Sequence, residues 1–63
     1  MPFETAKEFA SAAANIGLLA DQMKPDATGR HFEIRNVIIY HLRSAASKMR
    51  AVAEDLAKTE AQG

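Results

Sequence analysis

The sequence predicts an all-α fold: an antiparallel helical hairpin with a short first helix, a tight turn and a long second helix, dimerising into a four-helix bundle. Three observations carry this. Thr5-Ala6-Lys7-Glu8 is a capping signature and an alanine-rich stretch comes directly after it. Pro25-Asp26-Ala27-Thr28-Gly29 is the single turn cluster in the chain. Beyond it, Ile38, Leu42, Ala45, Met49, Val52 and Leu56 alternate at spacings of four and three, the pattern of a helix that buries one seam against another helix.

The first helix spans residues 6–24. In a capping box, Thr5 and Glu8 each satisfy an amide that the helix start leaves without a partner. Phe9, Ala12 and Ala13, Ile16, Leu19 and Ala20, and Met23 then repeat at helical spacing and define one apolar face. Ala10, Ala13, Ala14 and Gly17 form a smoother strip beside it. Glycine costs about 1 kcal/mol relative to alanine inside a helix, so Gly17 points either to close approach by another helix or to simple tolerance. Pro25 ends the helix by pushing Lys24 out of the α region. The turn covers 25–28, with Asp26 or Thr28 able to cap the second helix. So short a connection enforces an antiparallel hairpin.

The second helix spans residues 29–60. Its greater length predicts that its C-terminal end, with Val52 and Leu56, projects past the first helix and is covered by a second copy. At its other end, Val37-Ile38-Ile39-Tyr40 is apolar on every side, more than one seam requires. A competing reading takes His31–Tyr40 as a strand, with Phe32, Ile34, Ile38 and Tyr40 on one side. Against it, no Gly, Pro or Asn cluster separates Tyr40 from the helical pattern beyond it. A lone strand would also need a partner strand from another chain.

Size sharpens the case for assembly. The 63 residues form one helical-hairpin domain, and a chain this short buries only about 60% of its unfolded surface. Disulfides, metals and oligomerisation are the usual remedies. The sequence has no cysteine and two histidines, His31 and His41, which leaves oligomerisation and predicts no metal and no cofactor. Absence of cysteine fits a reducing cytoplasm. The N-terminal residues have neither a basic region nor a long apolar one, so no signal peptide is expected. The run Phe9–Ala20 is too short and too polar to span a bilayer, which takes about 20 apolar residues. No nucleophile–base grouping, phosphate loop or metal-ligand spacing emerges, and two helices offer little from which to build a pocket. The expectation is a protein that is not an enzyme.

Net charge is zero but unevenly placed. Arg30, Arg35, Arg43, Lys48 and Arg50 against Glu33 give residues 30–50 a balance of +4. Lys7 and Lys24 against Glu4, Glu8, Asp21 and Asp26 give the N-terminal part −2, and Lys58 against Glu54, Asp55 and Glu60 gives the C-terminal part −2. Arg35, Arg43 and Arg50 fall within roughly 80° on a helix of 3.6 residues per turn. They either meet an anionic partner or pair with the acidic first helix through residues such as Glu8 and Asp21.

The candidate dimer core is Phe9, Ile16, Met23, Ile38, Leu42, Met49, Val52 and Leu56. The candidate partner-binding surface is Arg35, Asn36, Ile39, Tyr40, Arg43 and Arg50. Together they predict a small regulatory protein, a homodimeric bundle acting through protein–protein interaction. Two alternatives stand beside it: a nucleic-acid adaptor using the arginine stripe, and a small inhibitor or antitoxin-like protein. The plan of short helix, tight turn and longer helix resembles the Rop-type antiparallel dimer of helical hairpins. That resemblance implies binding of paired RNA loops through one bundle face. No motif here assigns that role to particular residues.

Overall fold

The computed structural model describes residues 3–24 and 29–62. Among them are two helices, α1 (Ala6–Met23) and α2 (Phe32–Gln62), packed against each other as a hairpin. Residues 32–40 are helical, so the strand reading fails. The expected turn at 25–28, with its Asp26 and Thr28 caps, lies outside the described residues.

α1 starts as its sequence dictates. The Thr5 hydroxyl accepts from the Glu8 N–H at 3.2 Å, and Glu8 Oε1 accepts from the Thr5 N–H at 3.0 Å. The ring of Phe3 packs on Phe9 at 5.6 Å between centroids, pinning the entering chain to the first turn. α1 ends where Lys24 closes a final turn on the Asp21 carbonyl; Lys24 keeps α-region angles, φ −56° and ψ −44°, and is not pushed out of them as expected. α2 begins three residues later than the 29 expected. His31 sits at φ 62°, in the left-handed region, which a right-handed helix cannot include. Its carbonyl then accepts the first helical bond, from the Arg35 N–H at 2.9 Å.

The seam between the helices is built of alanine. Ala13 and Ala20 on α1 are fully buried, and Ile39, Ala46 and Ala53 are their counterparts on α2. Each set repeats every seven residues, the repeat that keeps one line of side chains facing a partner helix. Small side chains let the two backbones approach closely. They also bury little: among the described residues no large side chain is fully buried. Ile39 rests on Ala20, with Met23 and Leu42 packed partly against them.

This seam is one residue away from the one the sequence pattern favoured. Leu42, Met49 and Leu56 are half-buried at its edge, but Ile38 and Val52 stay 39% and 42% exposed. The unequal helix lengths are also resolved differently. Glu60 Oε2 accepts from the Ala6 N–H at 2.8 Å, so the C-terminal end of α2 is level with the start of α1. The carboxylate there satisfies one of the amides that a helix start leaves open and complements its dipole. The excess length of α2 therefore lies at its N-terminal end, around Phe32–Ile38, and not at Val52 and Leu56.

Two outcomes test this construction. Ala46→Leu must push the helices apart and should destabilise the protein by about 1–3 kcal/mol, read from a urea melt. The capping box adds an acid-sensitive element. The Thr5 hydroxyl, first, and the Glu4 and Thr5 N–H groups hold the Glu8 carboxyl below its ordinary value. A lowered folded-state value stabilises at neutral pH, and that contribution is lost as pH falls through the carboxylate range. Thermal melts from pH 7 to 3 should show a shallower acid decline for Glu8→Gln than for the parent chain.

Candidate interaction surface

Seven-residue repeats divide α2 into three neighbouring lines. Ile39, Ala46 and Ala53 face α1; Leu42, Met49 and Leu56 come next; Ile38, Ala45 and Val52 lie outermost. α1 repeats the arrangement. Ala6, Ala13 and Ala20 face α2, Phe9, Ile16 and Met23 are half-buried beside them, and Ala12 and Leu19 lie outermost. Each apolar face is wider than the single contact line that one neighbouring helix covers.

The side-chain contacts fix how these lines combine. On one face of the hairpin, Arg43 donates to Asp21 Oδ1 at 2.7 Å, and the Arg50 guanidinium lies against Gly17. These residues share a shallow groove with Ala14, Leu18 and Ala46. On the opposite face, Met23 shares a groove with His31, Ile34, Arg35 and Ile38. All eight expected dimer-core residues, Phe9, Ile16, Met23, Ile38, Leu42, Met49, Val52 and Leu56, fall on the Met23 side by their spacing. Leu19 and Ile34 join them there, both exposed. The sequence places Leu19 on the first helix's apolar face and Ile34 on one side of the strand reading, but neither was among the expected dimer-core residues.

The expected partner-binding set does not stay together. Ile39 is only 9% exposed and belongs to the seam, so it is removed from any docking surface. Arg35 lines the Met23 groove and is separated from Arg43 and Arg50. The three-arginine stripe is thus two arginines on one face and one on the other. The helical wheel places Asn36, Tyr40 and Ser47 toward the Arg43 side. Tyr40 is 69% exposed and stands edge-on to the His41 ring at 5.5 Å.

The Arg43–Asp21 contact pairs a basic α2 with an acidic α1, as the charge distribution allowed. Its side chains are 51% and 64% exposed, and pairs so open to water contribute only about 0–1 kcal/mol. It orients more than it stabilises. Among the described residues no His, Asp or Glu cluster could hold a metal, and no helix is long and apolar enough to cross a membrane.

No protein family, curated protein or solved structure matches the chain. The likeness to Rop-type hairpins is therefore one of plan alone.

Gly17 gives this surface its test. A Cβ added there would meet Arg50 Nη2 at 3.5 Å, an ordinary contact with the end of a flexible side chain. The close helix approach expected at Gly17 is absent; the alanines provide it instead. Gly17→Ala should raise stability by up to about 1 kcal/mol through helix propensity, visible as a higher melting temperature.

Proposed function

We propose that the chain is a non-enzymatic interaction module. It acts as a homodimeric four-helix bundle that binds another macromolecule, a protein, and regulates it by doing so. The observation that carries this reading is the half-covered apolar face. Phe9, Ile16, Met23, Leu42, Met49 and Leu56 are each only partly buried, and Leu19, Ile34, Ile38 and Val52 are exposed beside them. A contiguous apolar surface of this kind marks an interface. With a core of four alanines and one isoleucine among the described residues, the hairpin also lacks the buried area that holds a small domain together alone.

Dimerising through that face leaves the opposite one outward. It carries Asn36, Tyr40, Arg43 and Arg50, with Leu18 nearby on α1. Tyrosine and arginine around an exposed apolar residue is the composition that dominates protein–protein contacts. A nucleic-acid partner is less well supported. Arg43 already has Asp21 against it, Arg35 lies on the other side, and the chain carries no net positive charge to attract a phosphate backbone.

Sedimentation equilibrium at micromolar concentration decides the first step. The expected mass is twice the 6.9 kDa of one chain, falling to that of a monomer for Ile38→Asp. A folded parent chain that remains at 6.9 kDa overturns the proposal. For the second step, Tyr40→Ala and Arg43→Glu should lose the bound protein while retaining the dimer mass.

A further inference from the structure

The apolar flank of α2 is symmetric about Ala45. Ile38 and Val52 lie seven residues to either side of it, and Ile34 and Leu56 eleven to either side. A two-fold interface pairs each residue with its mirror position, because residue i meets j and j meets i. An antiparallel α2–α2 contact with its axis at Ala45 therefore sets Ile38 of each copy against Val52 of the other. It likewise sets Ile34 against Leu56. The smallest side chain of the stripe sits on the axis, where two copies of one residue must share the space. His41, Lys48 and Asp55 border the stripe on its outer side as a polar rim.

The same arrangement covers the overhang. α1 runs beside α2 from Glu60, level with Ala6, to about Arg43, level with Asp21. Beyond that point Met23, the last residue of α1, reaches toward the N-terminal turns of α2, where Phe32, Ile34, Val37 and Ile38 are all exposed. Reflection about Ala45 carries α1 of the second copy across that stretch and brings Phe9 of one copy level with Ile34 of the other.

The chain exposes 4878 Å², more than the roughly 4,000 Å² of a compact monomer of 6.9 kDa, as befits a two-helix hairpin whose apolar face is open.

We infer that the apolar face is occupied by a second copy of this chain, antiparallel, with its two-fold axis at Ala45 and each α1 level with the other copy's Phe32–Ile38. This rests on the dimer proposed above and adds its geometry. Because the chain has no cysteine, single cysteines report the arrangement directly.

Ala45→Cys should oxidise to a covalent dimer. Ile38→Cys alone should not, since its two copies would stand about 21 Å apart along the axis, beyond the Cα separation of about 7 Å that a disulfide spans. Ile38→Cys mixed with Val52→Cys should give the mixed dimer. Leu18→Cys, on the opposite face, should remain monomeric on a denaturing gel. Circular dichroism of each reduced variant confirms that the helices are kept.

A chain that sediments as a dimer but cross-links through Ile38→Cys alone is parallel, and the inference fails. A dimer that cross-links through Leu18→Cys uses the other face, and it fails again. A dimer that cross-links at none of these positions also defeats it. A monomer in sedimentation instead overturns the dimer itself, and the two failures are thereby told apart.

Discussion

Everything in this hairpin depends on the use of alanine as the contact between its own two helices. Close-packed helices ordinarily interleave large side chains and bury a core between them. Here the facing positions Ala13, Ala20, Ala46 and Ala53 are small and fully or nearly buried, so the backbones approach and the larger side chains are turned aside. That geometry determines which surface each residue joins. Phe9, Ile16, Met23, Leu42, Met49 and Leu56 end up on one face, half-covered, while Asp21, Arg43 and Arg50 end up on the other. A seam of leucines would have filled the space between the helices and left a hairpin content with itself.

The contact at the open end shows the register that this seam gives. Glu60 reaches the Ala6 amide. Because α2 is longer, the register decides which of its ends protrudes. With Glu60 level with Ala6, the surplus must fall near the connection, in the stretch Phe32–Ile38. That stretch carries Phe32, Ile34, Val37 and Ile38, all exposed, interspersed with Glu33, Arg35 and Asn36. The molecule is correspondingly elongated, measuring 49 × 17 × 14 Å, and its radius of gyration of 14.3 Å exceeds the roughly 10.6 Å of a compact domain this long.

The helices, the capping box and the hairpin were legible in the sequence because each rests on local rules: caps, periodicity and a turn cluster. The choice among adjacent lines of side chains was not. On α2 the lines 38-45-52, 39-46-53 and 42-49-56 all repeat every seven residues and all are apolar. Periodicity can therefore say that the face is broad but not which line meets which neighbour. Residue size is a misleading guide here, since the bulky Ile38–Val52 line looks more core-like than Ile39 with its two alanines. The start of α2 was missed because the left-handed turn at His31 involves no glycine or proline. The arginine stripe divided because a helical wheel gives angles without saying where a partner helix lies. Arg35 and Arg50 are near neighbours on the wheel but fall on opposite sides of the alanine seam.

The polar face matters as much as the apolar one for deciding what the hairpin can join. Arg43 and Asp21 are too exposed to add much stability, but burying them against a second copy would strip water from charged groups. That cost is several kcal/mol per ion unless new partners compensate. Two copies meeting through this face would bring Arg43 and Arg50 of one chain near those of the other. The apolar face carries fewer such groups within it: His41, Lys48 and Asp55 border it, and His31 and Arg35 line the Met23 groove at the N-terminal end of α2. The arginines thus act through exclusion as well as attraction. On the reading proposed above, they leave one face for self-association and the other for a protein partner able to meet Tyr40, Arg43 and Arg50.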